Sequence, residues 1–258
     1  LLRRIKYTWD PDNIFNPGKI VDAAPMQSSL RYTPDQPTRQ FDTVFDFSAT
    51  NGILRATEQC NGSGDCRKLP LSGGTMCPSY QATRNEQDTT RGRANALREF
   101  LTQSTQTNAF AHEELKTVMD LCISCKGCTS ECPSNVDMAS LKAEFLHQYY
   151  QTKGIPLRAL AFSHIAKLNH WGSYWPGGYN FLLNNPLISG LMKSLLRIAP
   201  KRSLPGLHSF TLRYWHRHYF KPKHTDYSQQ VYLFCDEFTN YNDTLIGIKA
   251  ISLLDRLG

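Results

Sequence analysis

The stretch Cys122-Ile-Ser-Cys125-Lys-Gly-Cys128-Thr-Ser-Glu-Cys132-Pro133 constrains this chain more than any other. Four thiols fall in the order C-x2-C-x2-C-x3-C-P. In that pattern three thiolates wrap one iron–sulfur cube, and the fourth, before proline, serves a second cube. Zinc and a redox dithiol are the competing readings, but structural zinc sites usually divide their ligands into two separated pairs. Thiols at i, i+3 and i+6 instead suit a loop that curls round a cube and then turns away.

A degenerate copy of the run lies upstream. Cys60-Asn-Gly-Ser63-Gly-Asp-Cys66 keeps the first and third ligand positions and puts Ser63 at the second. The cysteine before proline is Cys77, displaced by an inserted loop over residues 67–76. Glycines at 62, 64, 73 and 74 let the backbone pass close to a bound group and turn amides toward sulfur. The plainer reading is that these are turn glycines near stray cysteines. The complete run that follows argues for a second site.

Seven of the eight cysteines lie between Cys60 and Cys132, which is the distribution of ligands and not of a disulfide framework. The first residues, Leu1-Leu2-Arg3-Arg4-Ile5, contain no signal-peptide core, and no apolar run approaches the roughly 18 residues of a membrane span. The expected location is therefore cytoplasmic, with room for peripheral attachment to the inner face of a membrane. The chain is read as a piece of a larger protein: it starts at Leu1, and it ends in one strand-like run and one helix, Val231 to Leu257, with no second strand to pair.

The net charge of +7 is unevenly placed. Between Phe145 and Thr225 there are eleven Lys and Arg and no Asp or Glu. An acid-free segment of this kind bears on partners and says little about fold.

Helical patterns dominate. Thr50 or Asn51 is placed to cap a helix ending at Glu58. Asp88, Thr89 or Thr90 starts one carrying Ala94, Leu97 and Leu101 on a single face. A third runs from about His112 through Leu115, Val118 and Met119. Asp137 is placed as N-cap of a fourth, with Met138, Leu141, Phe145 and Tyr149 on one side. Residues 41–47 alternate loosely and suggest a short strand. Short helical patterns broken by Pro and Gly fill 155–224 (Leu157–Leu168, Phe181–Leu183, Leu187–Ile198). They end in Phe210-Thr-Leu-Arg-Tyr-Trp-His216-Arg-His218-Tyr-Phe-Lys-Pro-Lys-His224. His216 and His218 have no carboxylate or cysteine nearby in sequence, so a metal reading is set aside. Basic residues among aromatics suit an anionic membrane or an acidic partner. Nucleic acid is not expected, and the first reading of the segment is a helical connector packed between domains with its lysine and arginine heads in solvent. Cys235, the one cysteine outside the cluster region, is expected to be a buried strand residue.

Two resemblances follow. Asp10-Pro-Asp-Asn-Ile-Phe-Asn-Pro-Gly-Lys-Ile20 resembles the C-terminal signature of flavin-linked oxidases of the glycolate oxidase and D-lactate dehydrogenase group. Cys60-x5-Cys66, Met76-Cys-Pro-Ser-Tyr80, Thr89-Thr-Arg-Gly-Arg-Ala94 and Val136-Asp-Met138 resemble the large bacterial flavin dehydrogenases. In these an FAD domain is fused to a two-cluster helical ferredoxin and a heterodisulfide-reductase-like cysteine-rich module, and members act on D-2-hydroxy acids such as lactate, glycolate or 2-hydroxyglutarate. The family's C-terminal C-x(n)-C-C-G modules are absent from this sequence.

The resemblance implies a mainly α chain: the end of an FAD-linked domain and linker (1–40), a helical iron–sulfur domain (41–150), a basic helical connector (151–225), and the truncated α/β start of the cysteine-rich module (226–258). The FAD, its domain and the downstream module would belong to the parent chain. In the paired pattern the cysteine before proline crosses to the other cluster. Cys77, Cys122, Cys125 and Cys128 then serve a complete [4Fe–4S] centre. Cys60, Cys66 and Cys132 serve a second, [4Fe–4S] or [3Fe–4S], with Ser63 at the vacant position. No acid–base or nucleophile constellation is present, so no catalytic residue is assigned. The expected role is single-electron relay within an oxidoreductase whose substrate site lies elsewhere. A stand-alone ferredoxin-like subunit and a zinc-ligated nucleic-acid-binding module are the alternatives.

Overall fold

A computed structural model describes residues 1–28, 30, 32, 35–223 and 231–257. Among the described residues 55% are helical, and no strand occurs. The chain divides into two compact units, residues 1–149 and 150–258.

In the first unit α1 (Leu2–Trp9) leads into a turn organised by Asp10, whose carboxylate accepts the amides of Ile14 (2.8 Å) and Phe15 (2.9 Å). The core comes from α2 (Ile53–Glu58), α3 (Pro78–Thr83), α4 (Thr90–Gln103), α5 (Glu113–Asp120), α6 (Gly127–Glu131) and α7 (Met138–Lys153). Ile53 and Leu54 of α2 meet Ala94, Leu97 and Leu101 of α4, all buried, and α2 and α4 form a principal packing contact of this unit. Leu115 and Met119 of α5 and Leu141 and Phe145 of α7 are buried as well. The caps follow the sequence. The Thr89 side chain accepts from the Gly92 amide at the head of α4, and Asp137 Oδ1 accepts from Ala139 and Ser140 at the head of α7.

The strand expected over 41–47 does not form. The amides of Val44 and Phe45 are both taken by the fully buried Glu144 carboxylate, at 3.0 Å each, so they are not free to join a ladder. The segment is a loop bound to α7.

The second unit holds α8 (Leu157–Ser163), α9 (Ile165–Gly172), α10 (Pro176–Asn184), α11 (Pro186–Leu195), α12 (Leu212–His218), α13 (Glu237–Tyr241) and α14 (Thr244–Leu257). Among its described residues only Leu207 and Leu212 are buried large hydrophobes. Asparagine side chains hold it instead. Asn180 exchanges two hydrogen bonds of 2.8 Å with the backbone of Leu207, and Asn240 accepts the Arg213 amide. His216 stacks on Phe220 and His218 on Tyr214.

The strand expected over Val231–Cys235 does not form either. Residues 231–236 have no regular structure, because no partner strand lies among the described residues to take their backbone groups. Cys235 is correspondingly half-buried and not a buried strand residue. Residues 224–230, which include part of the predicted boundary between connector and C-terminal segment, lie outside the described residues.

Candidate metal centre

The heads of α3, α4 and α7 and the loop before α6 converge on one small, partly open cavity. It is lined by Cys77, Cys122, Cys125 and Cys128, together with Thr90, Arg93, Lys126, Met138 and Ala139. Cys77 reaches it because Pro78 opens α3 and leaves Cys77 as N-cap in the left-handed region, φ 55°. Ser124 (φ 52°) and Lys126 (φ 61°) are left-handed too, which curls the 122–128 loop round the cavity. Such conformations cost side-chain-bearing residues of order 1–3 kcal/mol each and cluster at ligand sites.

A second small cavity is lined by Cys60, Ser63, Cys66 and Cys132, with Asp65, Met76, Arg91 and Ser134. Thr90 lines both cavities. Gly62 (φ 81°) and Gly64 (φ 84°) provide the left-handed turns that carry the chain from Cys60 to Cys66, and Arg91 Nη1 holds the Gly62 carbonyl at 3.2 Å. Cys132, the C-cap of α6, faces this cavity while Cys128 of the same helix faces the other.

The inserted loop 67–76 is tied down by Glu131. Its carboxylate accepts the Thr75 amide (2.6 Å) and hydroxyl (2.8 Å) and the Met76 amide (3.2 Å). Those Thr75 donors hold the Glu131 carboxyl down to about 2. Gly127 lies so close that a Cβ there would stand 3.0 Å from Thr75 Oγ1. The glycine inside the cysteine run thus allows the loop to pack closely against α6.

Among the described residues no three His, Cys, Asp or Glu side chains are spaced to hold a single metal ion. The cysteines stand round two cavities, an arrangement that suits a multi-atom cluster. Other observations fit one. Cys77 Sγ faces the Thr90 hydroxyl at 2.9 Å and accepts its amide at 3.0 Å, while Cys128 receives the amides of Met138 and Ala139. Burial pushes both thiols up, and these donors pull them partly back. Lys142 Nζ donates to the Cys122 carbonyl, and burial lowers that ammonium group. The first cavity carries two cations, Arg93 and Lys126, and no carboxylate, whereas the second carries Arg91 and Asp65.

Residues 59–137 match the family described as "4Fe-4S dicluster domain". This segment is similar to dicluster domains. The whole chain is 25% identical, over an alignment of 303 residues, to a D-2-hydroxyglutarate dehydrogenase of Escherichia coli, and 26% identical over 305 to one of Pantoea ananatis. One of Pseudomonas putida is 28% identical over 74% of the chain. No solved structure matches. The chain spans about 29% of the length of the Escherichia coli and Pantoea ananatis relatives. The segment similar to dicluster domains therefore lies in a chain whose similarity to these dehydrogenases runs along its full length. No helix of the described residues is long and apolar enough to cross a membrane.

Sequence reasoning missed Thr90, Arg93, Glu131, Ser134 and Lys142 as parts of the site. Thr90 read as a possible helix start, and Thr90 and Arg93 stood in a motif of the resemblance, neither with a role at the site. Ser134 follows Cys132-Pro133 directly, which was a usable signal of proximity.

Proposed function

We propose that the chain is the iron–sulfur electron-transfer segment of a flavin-linked D-2-hydroxy-acid dehydrogenase. In this reading Cys77, Cys122, Cys125 and Cys128 hold one [4Fe–4S] cluster. Cys60, Cys66 and Cys132 hold a second, [4Fe–4S] or [3Fe–4S], with Ser63 beside its open position. The observation that carries it is the division of seven cysteines between two cavities, with Cys77 and Cys132 each crossing to the cavity of the other run. When bound, such clusters accept and pass single electrons. The chain's own residues hold them close together, with Thr90 as shared wall, and exclude water from Cys66, Cys77 and Cys128, which are buried. The FAD and the 2-hydroxy-acid site, of the 2-hydroxyglutarate class named for the relatives, belong to the upstream part of the parent protein. Its downstream module or another carrier takes the electrons. Anaerobic reconstitution with iron and sulfide tests this. Uptake of two clusters is expected, with Cys125→Ala losing one and Cys66→Ala the other. Zinc uptake in place of iron, or two clusters retained in Cys125→Ala, would overturn it. Cys125 is exposed, so its truncation leaves the fold intact.

A second reading concerns the acid-free segment, and we propose that it attaches to an anionic lipid surface. Besides eleven Lys and Arg, it exposes Trp171 (69%), Tyr174 and Trp175 (75%), and on α11 the stripe Leu187, Leu191 and Leu195. These leucines lie four residues apart and so share one helix face. Apolar stripes with interfacial Trp and Tyr and basic neighbours suit a headgroup boundary. Attachment should weaken with salt, since exposed charges are screened within about 8 Å at physiological ionic strength. Flotation with anionic vesicles at low salt, lost on neutral ones, is the expected result. No flotation, or capture by acidic proteins only, would sink it.

A further inference from the structure

Two buried side-chain donors at the cavities have no hydrogen-bond partner, and they sit one to a cavity. Arg93 lines the first and is 2% exposed. Its Nε donates to the Val118 carbonyl and its Nη1 to Ser79 Oγ, both at 3.0 Å. Nη2 has only the Asp88 carboxylate at 3.6 Å, beyond hydrogen-bond reach. Ser134 lines the second cavity, and its buried Oγ contacts no donor or acceptor. Folded chains leave few such groups, and each one calls for an explanation. An anionic, sulfur-rich guest accepts hydrogen bonds from N–H and O–H alike, and would satisfy both.

We infer that Arg93 and Ser134 are the side-chain donors to the sulfur of the two clusters, one to each, and that each sets the reduction potential of its own centre. The inference rests on the cluster assignment proposed above. Reduction adds a negative charge to the bound group. A donor at its sulfur favours that added charge, so it raises the potential. Arg93 brings a full charge into a buried site, where screening is weak, and its effect exceeds that of the neutral hydroxyl. Asp88 offsets part of that charge without taking the Nη2 proton.

Redox titration of the anaerobically reconstituted chain, followed by electron paramagnetic resonance, tests this. The step belonging to each centre is identified as the one lost in Cys125→Ala or in Cys66→Ala. Ser134→Ala is expected to lower the second centre's reduced-to-oxidised ratio about fivefold at fixed solution potential, as one neutral hydrogen bond would. The first centre should not move. Arg93→Gln is expected to lower the first centre's ratio tenfold or more, ~59 mV for a one-electron couple, with the second unmoved. Arg93→Lys should restore most of that loss. In the apo chain Ser134→Ala removes an unsatisfied hydroxyl, so its stability should match or exceed wild type. That sign is opposite to what a structural role for Ser134 would produce. Both steps unmoved with full iron content, or one variant moving both, overturns the inference. If Arg93→Gln takes up no iron, the Ser134→Ala shift decides it, present or absent. Failure of the wild-type chain to bind any iron would instead defeat the underlying cluster assignment.

Discussion

Thr90 presents both its backbone N–H, at 3.0 Å, and its hydroxyl, at 2.9 Å, to Sγ of Cys77, and the same residue forms part of the wall of each cavity. The head of α4 is thus the common support of the two thiolate sets. A helix N-terminus has unpaired amides and a positive dipole end, which suit a thiolate.

Thr90→Val keeps the amide and removes the hydroxyl. Both clusters should still load. The first centre's potential should fall by on the order of 40 mV, the equivalent of about 1 kcal/mol for one hydrogen bond in a one-electron couple. Redox titration reads it, and an unmoved first step would show that the hydroxyl does not donate to Cys77 in the loaded protein.

Ser63→Cys completes the C-x2-C-x2-C spacing at the second cavity. A serine hydroxyl resists deprotonation far more than a thiol, whose free pKa is about 8.5, so the native second centre should lose iron readily in air. The oxidised wild-type protein is expected to show a [3Fe–4S] resonance that Ser63→Cys reduces, leaving the Cys122 centre unchanged. A silent oxidised protein with iron for two full cubes would show that the second centre has another ligand.

Gly92→Ala should destabilise the first unit, although alanine normally favours a helix by up to about 1 kcal/mol. A Cβ at this position would run into the Glu86 carbonyl oxygen and stand 3.0 Å from Gln87 Cα, both backbone atoms that cannot swing aside. The overpacking cost, about 1–3 kcal/mol, outweighs the propensity gain. Denaturant unfolding should give a lower midpoint at unchanged slope.

Glu131→Gln should loosen the 67–76 loop, seen as faster proteolysis there. The tie depends on an ionised carboxylate held at about 2 in the folded chain. A depressed carboxyl stabilises above its unfolded value, near 4.3, and loses that contribution as pH falls toward 2. The difference between wild type and variant apo chains should therefore persist through pH 5 and shrink steadily below about 4. A difference independent of pH would mean that ionisation of Glu131 contributes nothing to the tie.

Most of the helical fold was legible because its signals are local. Thr89 and Asp137 cap where short polar side chains before apolar periodicity say they should, and Leu97, Leu101, Leu115 and Phe145 are buried on the predicted faces. The dicluster character was equally legible, since cluster chemistry needs thiols at set spacings within one loop. The two expected strands failed for a shared reason. A strand exists only if another segment accepts its hydrogen bonds, and alternation in the sequence cannot say whether one does. At residues 44–45 the acceptor is a carboxylate 100 residues away.

By itself the sequence determined the elements that nearest neighbours decide: helix caps, left-handed glycine turns, and seven thiols in two runs. Only the tertiary structure decided what lies across space from them. It set Thr90 between the two thiolate sets, anchored the inserted loop through Glu131, and left Arg93 Nη2 and Ser134 Oγ buried without partners. Hydrogen-bond satisfaction is a property of the packed interior, where water is excluded and every donor must find an acceptor among distant parts of the chain or in what the chain binds.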